Sequence, residues 1–330
     1  MKTVILHNEV SREAPKDEQD VLVQIDAVLN ALSELGFETF VVPFSLDLQR
    51  LKDKLEDIKP SFVFNLVESI AGHDALSHMA PSIMDVWGIP YTGSKTESIF
   101  VTTNKLLAKK CMSVAGIPTP AWIYPNNGDI LTPMEGAFIV KPVGEHASAG
   151  LDEGSVITPK NADHLCRAIK SRQARYGRRY FAEQFIEGRE FNLSLLSMEG
   201  RPYVLPPAEI IFDNYPAGKV KIVDYRAKWE GDSFEYLHTP RSFDFRKEDE
   251  PLIQQMICLA EQCWRLFNLE GYARVDFRVD KMGKPWALEV NTNPCLSPDA
   301  GFFAAAQRNG FTFRKVIENI IGNLSNIETL

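Results

Sequence analysis

The chain has 330 residues, 45% hydrophobic and 10% aromatic, which is more than one hydrophobic core usually supports, so two or three domains are expected. A formal net charge of -8 without any Lys/Arg-rich block argues against nucleic acid and anionic membrane as partners and points to small molecules. Five cysteines (Cys111, Cys166, Cys258, Cys263 and Cys295) form no CxxC pair, and no stretch approaches a membrane span; reduced thiols and a cytoplasmic location are expected.

In chain order, the first hundred residues alternate β-branched runs (Val4-Ile5-Leu6, Phe40-Val41-Val42, Phe62-Val63-Phe64) with an amphipathic helix from Val21 to Leu35, the pattern of a small parallel α/β layer. Gly88 to Gly93 closes it, and a helix is expected from about Thr103 to Ala115, stopped by Gly116 and Pro118. A strand at Phe138-Ile139-Val140 leads into a loop of small residues from Val143 to Gly154. A helix near Asn161 to Tyr176 and a strand at Tyr180 to Glu183 follow. Beyond these come strands at Phe191 to Leu196 and Val220 to Val223, a helix near Asp249 to Phe267, a hairpin and a terminal helical pair. The expected division is 1–97, 98–182 and 183–330.

The hairpin is the most informative segment. Gly271 to Val279 alternates strictly, turns at Lys281 to Lys284, and returns through Asn291. With Met282-Gly283 as a two-residue turn, Asp276 faces Glu289 and Arg274 faces Asn291, all four on one face, while Val275, Phe277, Val279, Trp286, Leu288 and Val290 take the other. Opposed carboxylates on a sheet repel by up to about 1 kcal/mol unless a cation lies between them. Three oxygen donors suit Mg²⁺ and, with no His/Cys cluster present, argue against zinc. A solvated face neutralised by Arg274 and Arg278 satisfies the same pattern.

Two lysines stand in unusual places. Lys105 follows Thr102-Thr103-Asn104 in the first turn of its helix, where the dipole disfavours a cation by roughly 0.3–1 kcal/mol unless an anion is near. Lys141 ends an apolar strand beside Gly144-Glu145-His146-Ala147-Ser148-Ala149-Gly150, whose small residues let backbone N–H groups approach an anion. No Walker sequence accompanies them.

Together, Thr103-Asn104-Lys105, Ile139-Val140-Lys141-Pro142, the run from Glu183 to Phe191, and Arg274-Val275-Asp276 with Glu289-Val290-Asn291-Thr292-Asn293-Pro294 resemble the ATP-grasp superfamily, and within it the D-alanine-D-alanine ligases. The resemblance runs from about Phe62 to near the C-terminus. It implies an α/β chain, α+β in its C-terminal part, with an ATP-grasp fold behind an N-terminal parallel α/β domain. It further implies that Lys105, Lys141, Ser148 and Lys228 lie at the nucleotide, that Glu183 meets the adenine amino group, that the Phe185-Ile186 backbone reads the base edge, and that Glu190 meets the ribose. Asp276, Glu289 and Asn291 match the Mg²⁺ ligands, two ions with Mn²⁺ as a substitute, and Arg274 matches the arginine that stabilises the acyl phosphate and tetrahedral intermediate. A homodimer is also implied.

The substrate positions depart from that family. A lid serine, a tyrosine after the nucleotide-site lysine, and a serine beyond the Asn-Thr-x-Pro turn are matched here by Ala147, Trp229 and Ala300, the last followed by Gly301. Glu68 stands where the family shows His-Gly. Whether Glu9, Glu13 or neither replaces the family's acidic residue stays open, and His73 and His146 read first as surface histidines. The expected activity is therefore an ATP- and Mg-dependent carboxylate-amine ligase with altered amino acid or peptide specificity. The alternatives are a true D-alanine-D-alanine ligase, a non-catalytic ATP-binding regulator, and a phosphate- or carboxylate-transferring relative.

Overall fold

The computed structural model describes residues 1–11, 13–125, 135–145 and 147–324; His146, expected at the surface, lies outside them. A parallel sheet opens the chain, with β1 (Lys2–Asn8) between β2 (Glu38–Phe44) and β3 (Phe62–Leu66). Both faces of this sheet are covered, which is why β1 and β3 are apolar runs rather than alternating ones. Helix α1 (Lys16–Glu34) buries Val21, Gln24, Ile25, Val28, Ala31 and Leu32 at helical spacing, while α2 (Leu48–Ile58) and α3 (Met79–Trp87) close the other side.

The helix expected from about Thr103 to Ala115 forms two residues later, and another helix that the sequence reading did not place runs directly into it. Helix α4 (Thr96–Thr103) ends at Asn104, whose extended backbone breaks the run and whose side chain accepts from Leu107 N at 3.2 Å to cap α5 (Lys105–Val114). Lys105 is thus the first residue of a capped helix. An antiparallel sheet follows in the order β4 (Trp122–Ile123), β7 (Tyr180–Gln184), β5 (Phe138–Pro142), β6 (Val156–Ile157). Helix α6 (Ala162–Tyr176) covers it through Leu165 and Ile169.

The largest sheet runs β11 (Arg241–Ser242), β10 (Ala208–Ile210), β8 (Gly188–Met198), β12 (Tyr272–Asp280), β13 (Pro285–Asn291), with β9 (Arg201–Val204) also on β8. Gly188 is required where β8 meets β12, since a Cβ there would lie 1.9 Å from Val279 O. Helix α9 (Glu250–Leu266) packs Ile253, Met256, Ala260 and Cys263 onto one face. The expected strand at Val220 to Val223 does not form; that stretch runs unpaired into α7 (Tyr225–Trp229) and α8 (Phe234–Leu237). Helices α10 (Gly301–Arg308) and α11 (Phe313–Ile321) return to pack against α1.

Candidate active site

The hairpin of β12 and β13 pairs Asp276 with Glu289 and Arg274 with Asn291, as expected, but by a different route. The loop is one residue longer than a two-residue turn: Asp280 N donates to Lys284 O and Gly283 N to Asp280 O. Below it the register runs Val279 with Pro285 and Phe277 with Ala287, and a bulge at Leu288 restores the offset before the acids meet. The assignment of Trp286 and Leu288 to the core face is therefore corrected. Ala287 fills the core, Trp286 Nε1 donates to Asp280 Oδ2 at 2.9 Å, and Leu288 is turned into the cavity above the acids.

That cavity, of about 490 Å³, lies between the antiparallel sheet and the large sheet. It collects Lys105, Lys141, Ser148, Glu183, Phe185, Ile186, Glu190 and Lys228, together with Arg274, Asp276, Glu289 and Asn291 and, at its far end, Glu68, Trp229, Ala300 and Gly301. Every expected site residue thus lines one space. Apolar Ile139, Ile210, Ile222 and Leu288 wall the end beside Phe185 and Ile186, a slot suited to a flat base.

Charge in the cavity is arranged in pairs. Arg274 grips Asp276 in a bidentate pair, Nε to Oδ1 at 2.7 Å and a terminal nitrogen to Oδ2 at 2.8 Å; burial pushes the guanidinium down, but the Asp276 charge holds it above its ordinary range. Asn192 Nδ2, from β8, also donates to Asp276 Oδ1 at 2.7 Å. Lys105 Nζ lies 3.0 Å from Glu289 Oε2 and donates to the Glu145 carbonyl. Lys228 is deep in the wall, and burial, then the nearby Arg274 charge, pulls its ammonium down. Asn291 Oδ1 accepts from Asn293 N at 2.9 Å.

Lys141 is held by Glu183, and Lys109, which sequence reading missed, braces that glutamate from the other side. Glu183 lies between Lys141 at 2.5 Å and Lys109 at 2.6 Å, all three buried. Burial raises the Glu183 carboxyl, and the two lysines more than offset it, leaving a lowered value. Lys109 is pushed down to about 8 by burial despite Glu183, and it also donates to Thr119 Oγ1 at 2.7 Å. The α5 spacing of Lys105 and Lys109, four residues apart on one face, was the available signal. Arg278, read as a surface counter-charge, is instead buried and donates to Glu190 Oε2 at 2.7 Å and to Ile186 O at 3.0 Å, fixing two positions of the cavity wall.

At the far end, Glu9 and Glu13 are exposed, and the acids that face the cavity are Asp17 and Asp20 of α1 beside Glu68. Burial, with Asp20 and Asp17 close by, lifts Glu68 to about 7 against the hydrogen bond from Gln24 Nε2. Trp229 Nε1 donates to Ala147 O at 2.9 Å and Ser148 Oγ to Val223 O at 3.1 Å, so the loop after β5 is fastened to the segment carrying α7. Arg241, also missed, lines this end and donates to Asp299 O at 2.8 Å beside Gly301.

A family model described as the D-Ala D-Ala ligase C-terminus matches residues 129–322, more than half of the chain. The chain belongs to the D-alanine-D-alanine ligase family. A D-alanine--D-alanine ligase of Aquifex aeolicus is 32% identical over 299 residues, covering 89% of this chain and 92% of that protein. An uncharacterised protein of Sinorhizobium fredii is 28% identical over 302 residues, covering 90% and 85%. The fold agrees with that of the Bacillus anthracis D-alanine--D-alanine ligase solved with ATP, at a TM-score of 0.74 and 21% identity over 98% of this chain and 97% of that one. The protein is accordingly an ATP-grasp ligase that forms a carbon–nitrogen bond. No helix among the described residues is long and apolar enough to cross a membrane.

The donor set fits a hard divalent cation. Asp276 and Glu289 face each other with the Asn291 amide alongside, and no group of three or more His, Cys, Asp and Glu side chains competes for a metal among the described residues. Two carboxylates and an amide leave positions for water and phosphate oxygens, as Mg²⁺ prefers.

Proposed function

We propose that the protein activates an amino acid carboxylate as an acyl phosphate with Mg-ATP and passes it to a second amino acid's amine, with D-alanyl-D-alanine as the first product to test. The observation that carries this is the opposed Asp276–Glu289 pair on the floor of a cavity that also holds Lys105, Lys141, Lys228 and Arg274. The named relatives, D-alanine ligases at about 30% identity, support that product.

In this reading the base stacks between the apolar wall and the Phe185-Ile186 backbone, Glu190 takes the ribose hydroxyls, and Glu183 takes the adenine amino group while holding Lys141. Lys105 and Lys141 meet the phosphates. Asp276, Glu289 and Asn291 hold the metal, proposed as two Mg²⁺ ions replaceable by Mn²⁺, which supply charge neutralisation at the γ-phosphate. The carboxylate oxygen attacks phosphorus and ADP leaves; the amine then attacks the acyl carbon, and Arg274 holds the oxyanion before phosphate departs. A cytoplasmic homodimer is part of the proposal, checked by sedimentation.

A second reading, altered specificity, rests on Ala147, Trp229 and Ala300 at the substrate end and on the acids facing them. ADP release with D-alanine, plus a dipeptide identified by mass, supports the first reading. Release that needs another amino acid supports the second, and ATP binding without release under any pairing overturns both.

A further inference from the structure

Three arginines line the cavity, and two of them are neutralised within it. Arg274 pairs with Asp276 at 2.7 Å and Arg278 with Glu190 at 2.7 Å, whereas among the described residues Arg241 makes no ion pair. Its Nη2 donates to the backbone carbonyl of Asp299 at 2.8 Å, an uncharged partner. The side chain is nevertheless held in place. Arg241 sits opposite Ile210, another cavity residue, in the pairing of β11 with β10, and the Asp299 bond ties its tip to the turn before α10. A Cβ on Gly301 would lie 3.6 Å from Arg241 Nη1 and 3.8 Å from its Cδ, so the glycine leaves open the space that a side chain would fill against the guanidinium. Ala300 and Gly301 bring no polar side chain to this end, and two neighbouring donors are spent: Trp229 Nε1 on Ala147 O at 2.9 Å and Thr239 Oγ1 on Glu235 O at 2.8 Å.

A guanidinium with donors to spare and no carboxylate of its own matches a planar oxyanion in a bidentate pair. We infer that Arg241 is the acceptor-binding residue: the amino acid whose amine attacks the acyl phosphate docks its carboxylate against this guanidinium, over Gly301, with its amine directed toward Arg274. This rests on the ligase reading and assigns the residue that selects its second substrate. An acceptor whose carboxylate is masked as a primary amide leaves the guanidinium without its counter-charge, and a site built around a donor to a substrate group discriminates strongly against the analogue that lacks it.

The test is a competition in one mixture. The full chain and Mg-ATP are given the pairing, from a panel of D- and L-amino acids beginning with D-alanine, that releases ADP fastest, with the acceptor and its primary amide at equal concentration, and dipeptide and dipeptide amide are quantified by mass. The intrinsic difference in reactivity between the two amines is the same for every variant and cancels in the comparison. The parent should favour the carboxylate, and Arg241→Met should lower that preference at least about tenfold, with Arg241→Lys in between and the KM for ATP within about twofold of the parent. An arginine that only holds the Asp299 carbonyl would slow both acceptors alike when removed, so an unchanged ratio in Arg241→Met overturns the assignment and leaves the ligase reading standing. Gly301→Leu, at a helical position whose backbone accepts a side chain, should cover the guanidinium and lower the same ratio, which decides the matter if Arg241→Met does not fold. Absence of ADP release with every pairing overturns both readings.

Discussion

Asp276 is gripped by the Arg274 guanidinium and, in the proposed reading, would also serve a divalent cation. Removing Arg274 leaves a buried carboxylate with Asn192 as its donor, so Arg274→Ala should cost roughly 3 kcal/mol of stability as well as a 10²- to 10³-fold drop in kcat. Urea melts separate that loss from the kinetic one. ATP binding by equilibrium dialysis should survive, and its disappearance would make the arginine a nucleotide holder. Glu289→Gln keeps the shape and removes the charge facing Lys105, and turnover at ordinary Mg²⁺ should vanish while the melting temperature holds within a few degrees. Glu68 gives a pH signature. Its carboxyl is raised from 4.5 to about 7, so the folded form binds the extra proton between those values, and the cost of holding it charged grows as pH rises and is complete above 7. Glu68→Gln should therefore be more stable than the parent at pH 8, by up to about 3 kcal/mol, and no more stable at pH 4.5, in paired thermal melts.

At the scale of elements, the β12–β13 hairpin shows how much a short-range pattern reveals. Strict alternation located the two strands, and the opposition of Asp276 and Glu289 was readable because the longer loop and the Leu288 bulge each add one residue and cancel. Nothing in the alternation marked the bulge itself, so Trp286 and Leu288 were read onto the wrong face. The bulge has a use, since it turns an apolar side chain into the base-side slot. Leu288→Ala should raise KM for ATP about tenfold with little change in KM for the amino acids, as fits the loss of one to two kcal/mol of apolar contact. An unchanged KM would place the base elsewhere. Helix α4, just before Asn104, escaped for a different reason: its buried face is made of Ser98, Ile99, Thr102 and Thr103, so hydrophobic periodicity does not mark it.

Across the whole molecule, the half proposed for the nucleotide was legible because its residues come in contiguous motifs: Lys141 at a strand end, Glu183 to Glu190 in the short run that leads from β7 in one sheet to β8 in the next, Arg274 to Asn291 on one hairpin. The substrate half was legible only in part: Glu68, Trp229, Ala300 and Gly301 were singled out, but Asp17, Asp20, Arg241 and Cys295 come from separate segments, brought together only when α1, β11 and the residues after β13 pack around one space. Lys109 and Arg278 escaped for the opposite reason, each being a cation that looked like surface until packing enclosed it.

One core cluster unites the two ends of the chain. Val21, Ile25, Val28 and Leu32 of α1 share it with Phe302 of α10 and with Val316, Ile317 and Ile320 of α11. During synthesis the first helix can pack on β1 to β3 early, but the part of its stripe that meets α10 and α11 must wait for nearly three hundred further residues. A fragment of residues 1–97 should protect its α1 amide protons less in deuterated solvent than the full chain does, because it keeps the β1 to β3 contacts and loses those of α10 and α11. In the finished protein, fraying of the last helix and loosening of the acidic end of the active site are then a single event, because both depend on where α1 rests.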